Sequence, residues 1–172
     1  ALLFCDTPKN ALIIGLGGGS MAKFLYQHFP SCRIDAVESR ESVAQLAHAY
    51  FGLPEDPRLQ IYISEANQFV MGNQGQALYD LILIDAYDGS AMADGCHSLE
   101  FITKIQGSLR PSGCMAINLW GSHTEQCKKS IQRLRKVFRS IQILPVKGYG
   151  NLIALARPGT EINPQSDHSR SY

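Results

Sequence analysis

Apolar and polar positions along the chain alternate between two rhythms, one of continuous or every-second residues and one of helical spacing. The run Ala11-Leu12-Ile13-Ile14 predicts a short buried strand over about 10–15. Met21, Phe24, Leu25 and Phe29 then fall at helical spacing, and Pro30 stops that helix. Ile34, Ala36 and Val37 make a second strand ending at Glu38. Ser39 reads as the N-cap of a helix over 40–51 that buries Val43, Leu46, Ala47 and Tyr50. After the breakers Gly52, Pro54 and Pro57, the alternation of Leu59, Ile61 and Ile63 predicts strand three. A short helix from Glu65 to Val70 and a polar turn at 72–76 follow.

The second half repeats the scheme. Leu81-Ile82-Leu83-Ile84 is apolar throughout, as a central parallel strand is, and ends in Asp85. Residues 86–96 form a small-residue loop too long for a tight connector, of the kind that serves as a lid. A helix over 98–110 precedes strand five at 113–119. Ser122-His123-Thr124-Glu125 reads as a capping box opening a helix to Arg139, with Cys127, Ile131, Leu134 and Phe138 as its apolar stripe. Strands at 141–146 and 151–156, joined by only four residues, should form an antiparallel hairpin. Five βα units and a hairpin predict one α/β domain over 1–157, a mostly parallel seven-stranded sheet with helices on both faces. The polar stretch 158–172 is expected to be a disordered tail.

Composition narrows the function classes. The 172 residues carry 16 basic and 15 acidic side chains, a net charge of +1, which recruits neither nucleic acid nor an anionic membrane. Five dispersed cysteines, with no C-x-x-C pair, exclude a zinc knuckle and fit a reducing, cytoplasmic setting. No apolar run reaches the ~18 residues of a membrane span. The basic run Lys128, Lys129, Arg133, Arg135, Lys136 and Arg139 lies opposite an apolar stripe and reads as a solvated helix face. Trp120 reads as a packing residue, Cys32 and Cys114 as buried strand residues, and His97 as a histidine beside the lid. The chain begins at Ala1 rather than Met, which leaves a processed or truncated N-terminus open.

The candidate chemistry centres on ALIIGLGGGS. Gly15, Gly17, Gly18 and Gly19 followed by Ser20 form a strand–glycine turn–helix cradle for a nucleotide-like ligand. Three acids fall at expected strand ends: Glu38, Glu65 and Asp85. Glu38, about 20 residues past the turn, suits ribose hydroxyls, and Glu65 suits an exocyclic adenine amine. Ser20 occupies the position where a dinucleotide fingerprint has Gly or Ala. Together with the terminal hairpin this favours a Rossmann-like class I methyltransferase fold and an adenosylmethionine-type ligand over NAD.

The Gly17-Gly18-Gly19 run, Val37-Glu38, Tyr50-Phe51…Asp56-Pro57-Arg58 and Asp85-x-x-Asp88, in this order and spacing, resemble the catalytic domain of the spermidine synthase family over about residues 10–157. The resemblance implies that the glycine loop packs against an adenosyl donor, decarboxylated S-adenosylmethionine or S-adenosylmethionine. It implies that Glu38 binds the ribose and that Glu65-Ala66 lies at the adenine. Asp85 would be the proton acceptor and Asp88 would hold the acceptor amine. The implied reaction is aminopropyl transfer to a polyamine such as putrescine, without a metal and without a nucleic-acid or membrane partner; relatives often pair as homodimers. The chain departs from the family at Ser20-Met21, where the family has Asp-Gly, and at Glu65, where it has Asp. Residues 1–9 leave no room for the family's N-terminal β-domain. A methyltransferase on a small acceptor, or a relative that only binds ligand, therefore stands as the alternative.

Overall fold

A computed structural model describes residues 1–2, 5–72, 78–88, 91–92, 95–121, 124–148 and 150–159, with only the backbone at 88, 91 and 92. Its strands and helices follow the expected order. They are β1 (Asn10–Ile14), α1 (Ser20–His28), β2 (Arg33–Glu38), α2 (Glu41–Phe51), β3 (Leu59–Ile63), α3 (Ala66–Gly72) and β4 (Tyr79–Ile84). After the two-residue strands β5 (Tyr87–Asp88) and β6 (Ala91–Met92) come α4 (Leu99–Ser108), β7 (Leu109–Leu119), α5 (Glu125–Val137), β8 (Ser140–Pro145) and β9 (Leu152–Arg157). The main sheet has seven strands in the order β3-β2-β1-β4-β7-β9-β8. The first five are parallel, and β9 runs antiparallel to both β7 and β8.

This order places β1 and β4 at the centre, buried on both sides, which explains their unbroken apolar runs. Successive side chains of β1 go to opposite layers. Leu12 and Ile14 join Ile82, Ile84, Phe101, Ile105 and Ile117 under α3–α5. Ala11 and Ile13 join Ile34, Ala36 and Leu81 under α1 and α2. The chain leaves β1 toward β2 and β3, then returns to β4 on the other side. That reversal opens a crevice at the carboxyl ends of β1 and β4.

Four local expectations are corrected. Helix α2 packs through Ala44 and Ala47, whereas Leu46 and Tyr50 are 49% and 78% exposed; two small residues let the helix approach the sheet closely and turn the large ones outward. Arg40, not Ser39, is its boundary residue, and the Arg40 N–H is met by Glu38 Oε1 at 3.1 Å. Strand β7 starts at Leu109 rather than 113. Its pairing jumps from Tyr79↔Leu109 to Leu81↔Cys114, so the intervening residues, Pro111 included, bulge out of the ladder. A proline has no N–H to donate there, and Arg110 closes the bulge on Asp80 at 3.2 Å. Helix α5 is capped by Thr124, whose hydroxyl accepts from the Cys127 N–H. Ser122 and His123, residues 73–76 of the turn expected at 72–76, and residues 160–172 of the tail expected from 158 lie outside the described residues, as does part of the expected lid.

Candidate active site

At the crevice lies a cleft of about 570 Å³, lined among others by Gly15, Gly17, Glu38, Glu65, Ala66 and Asp85. Its floor is set by backbone geometry at the end of β1. The Gly15 N–H donates to Val37 O at 2.9 Å, and the Asp85 N–H donates to Ile14 O at 2.8 Å. Gly15 is thereby wedged between β2 and β4 with φ +91°, and a Cβ there would sit 2.3 Å from the Asp85 carbonyl oxygen. Only glycine fits that combination.

Glu38 is buried, with both carboxylate oxygens already engaged. Oε2 accepts from the Leu16 N–H at 3.2 Å and Oε1 from the Arg40 N–H, with the exposed Arg40 guanidinium 3.8 Å away. Two backbone donors therefore fix the carboxylate while each oxygen keeps a lone pair for a vicinal diol. Asp85 is exposed at the end of β4, and its Oδ1 accepts from Asn118 Nδ2 at 2.9 Å. Glu65, also exposed, immediately precedes α3. Among the described residues, three carboxylates and one arginine line the cleft and make its potential negative, suited to a cationic ligand. Among the described residues no group of three His, Cys, Asp or Glu side chains gathers as metal ligands.

The other sequence candidates are placed differently. Gly18, Gly19 and Ser20 are not among the cleft-lining residues. Gly18 faces the Phe51 ring and Gly19 faces Leu53, where a Cβ would come within 3.3 Å and 2.7 Å respectively, so these glycines let the start of α1 close on the end of α2. Ser20 is the exposed first residue of α1. The backbone of Asp88 follows in β5, three residues from Asp85; its side chain lies outside the described residues.

The sequence reading missed Asn118 and Tyr87. The Tyr87 hydroxyl donates to Asn118 O at 2.8 Å, and burial pushes its phenol up to about 12. Asn118 is a polar break inside the apolar strand MAINLW, a signal that its neighbours' hydrophobicity masked. Trp120 is 54% exposed rather than packed. Arg133 is not merely part of a solvated face, since it donates to His97 O at 3.0 Å and ties α5 to the turn before α4. Cys32 and Cys114 are buried as expected.

Residues 1–153 match the family model described as the spermine/spermidine synthase domain. The polyamine aminopropyltransferase of Chromobacterium violaceum is 34% identical over 157 residues, which is 90% of this chain and 59% of the relative. The eEF1A lysine and N-terminal methyltransferase of Mus musculus is 36% identical over 159 residues, 88% of this chain and 23% of the relative. The crystal structure of human methyltransferase-like protein 13 in complex with SAH aligns with a TM-score of 0.79 at 26% identity, over 96% of this chain and 76% of that one. The mostly parallel seven-stranded sheet with its antiparallel end is thus a class I methyltransferase-like fold. The chain spans less than two thirds of the length of either curated relative.

Proposed function

The chain belongs to the spermine/spermidine synthase family, and from that premise we propose that it is a transferase moving an aminopropyl group from an adenosyl-sulfonium donor to a polyamine acceptor such as putrescine. The observation that carries this reading is the convergence of Glu38, Glu65 and Asp85 on one cleft beside the Gly15–Gly17 turn. A sulfonium donor and an ammonium acceptor are both cations, and a cleft walled by carboxylates raises the local concentration of each.

In this mechanism the turn at Gly15–Gly17 admits the donor close to the backbone, Glu38 accepts from the ribose hydroxyls, and Glu65 accepts from the adenine amine. Asp85 takes a proton from the acceptor's ammonium. The freed amine lone pair attacks the aminopropyl carbon bonded to sulfur, the C–S bond breaks, and its electrons neutralise the sulfonium, releasing methylthioadenosine. The family resemblance assigns Asp88 to the acceptor's cationic amine, which a carboxylate binds by charge-assisted hydrogen bonding. No metal enters any step.

A second reading is S-adenosylmethionine-dependent methyl transfer. The 36% identity to the mouse methyltransferase favours it, as does Ser20 at the position where the resemblance to spermidine synthases leads one to expect Asp. Titration calorimetry with S-adenosylmethionine, its decarboxylated form and methylthioadenosine separates the two. Tighter binding of the decarboxylated donor is the expected result. Tighter binding of the carboxylated donor transfers the assignment to methyl transfer, and no binding of any of the three removes both.

A further inference from the structure

The carboxylate of Asp85 lies at the end of a hydrogen-bonded chain that spans three strands. In the parallel β4–β7 pairing Ile84 faces Ile117, so the next residues, Asp85 and Asn118, lie side by side past the ends of the ladder. Asn118 Nδ2 donates to Asp85 Oδ1 at 2.9 Å, and Asn151, just before β9, donates through Nδ2 to Asn118 Oδ1 at 3.1 Å. The polarity of this chain follows from chemistry. An ionised carboxylate only accepts, so Asn118 must present its NH₂ to Asp85 and its oxygen to Asn151. Asn151 complies although its own amide oxygen is then buried with no hydrogen-bond partner among the described residues. Reversing its amide would set two carbonyl oxygens against each other.

The same asparagine holds the other flank of Asp85. Its backbone carbonyl accepts from the Tyr87 hydroxyl at 2.8 Å, two residues past Asp85. Carboxylate rotation about χ2 is soft. Fixing Oδ1 and the following backbone therefore aims Oδ2, the remaining oxygen, in one direction.

We propose that Asn118 is the positioning residue for Asp85 and that Asn151 fixes the amide of Asn118. The catalytic meaning of this chain rests on the reading of Asp85 as proton acceptor; its existence does not. Two measurements on the whole chain test the parts separately. In ¹⁵N–¹H spectra, Asn151→Ala should displace the side-chain amide resonance of Asn118, and Asp85→Ala should displace those of both asparagines. Unmoved Asn118 resonances in both variants overturn the proposal, whether or not the protein shows turnover. In steady-state kinetics with whichever donor the unaltered protein uses, Asn118→Leu should lower kcat about 10- to 100-fold with donor affinity by calorimetry within about twofold, and Asn151→Ala should follow with a smaller loss. Unchanged kcat in Asn118→Leu overturns the positioning role. Absence of turnover in the unaltered protein instead counts against the proposed reaction, and the spectra still decide the chain.

Discussion

Two carboxylates in the same cleft differ in how they are held, and that difference separates their expected roles. Glu38 is buried with each oxygen bonded to a backbone N–H, whereas Asp85 is exposed and held through one oxygen by a side chain. Replacing Glu38 by Gln turns an NH₂ toward one of two backbone donors. One buried N–H is then left without an acceptor, at a cost of about 1–3 kcal/mol. Glu38→Gln is thus expected to lower the melting temperature and to weaken donor binding at least about tenfold, the equivalent of one lost charged hydrogen bond. Asp85→Asn should do the opposite, abolishing turnover while leaving donor affinity nearly intact. Calorimetry and thermal melts on both variants check the contrast, and equal losses of donor affinity would refute the division of roles. The place of Glu38 in the cleft was legible in the sequence, because a carboxylate at that distance past a glycine turn falls at the end of the neighbouring strand. The importance of Asn118 was not, because it arises only when the β4–β7 register brings it beside Asp85.

At the scale of elements, periodicity located the helices and strands well and failed where apolar residues are not the ones that touch. Strand β1 is apolar at every position because it has helices above and below it, and its sequence says so directly. Helix α2 offers two competing faces at similar spacing. Hydrophobicity alone favours a face of Val43, Leu46, Ala47 and Tyr50, whereas close packing of a helix on a sheet favours Ala44 with Ala47, so the two faces share Ala47 and differ at Leu46 and Tyr50. Substitutions discriminate between them. Tyr50→Ser should change stability by no more than about 0.5 kcal/mol, as at other exposed sites. Ala47→Leu, forced into a fully buried contact, should cost about 1–3 kcal/mol. Urea denaturation of the two variants measures both, and a larger loss in Tyr50→Ser would place the helix on its other face. Strand β7 begins four residues before the expected 113, because the bulge carries Pro111 outside the ladder without ending the strand.

For the molecule as a whole, the two core layers share a sensitivity that the near-neutral net charge does not suggest. Cys32 lies in the layer beneath α1 and α2, and Cys96 in the layer beneath α3–α5. Burial pushes both thiols up from 9.0 to about 11, with nearby acid charges adding to the shift, Asp80 at Cys32 and Glu65 at Cys96. Tyr79 rises above 10.0 as well, first through burial and then through its 2.8 Å hydrogen bond to Asp35. For each group the folded chain holds its proton more tightly than the unfolded chain. Their contribution is therefore complete below pH 9, and it drains away as pH climbs toward 11 because the unfolded chain releases protons first. The urea midpoint should be nearly flat from pH 7 to 8.5 and fall steadily between 9 and 11. Cys32→Ala should lower stability at pH 7 and flatten that fall, because one of the protons responsible for it is gone. A midpoint independent of pH up to 11, or an unaltered slope in Cys32→Ala, would mean that the thiols are open to water in solution and that the layers pack less tightly than the burial of Cys32 and Cys96 requires.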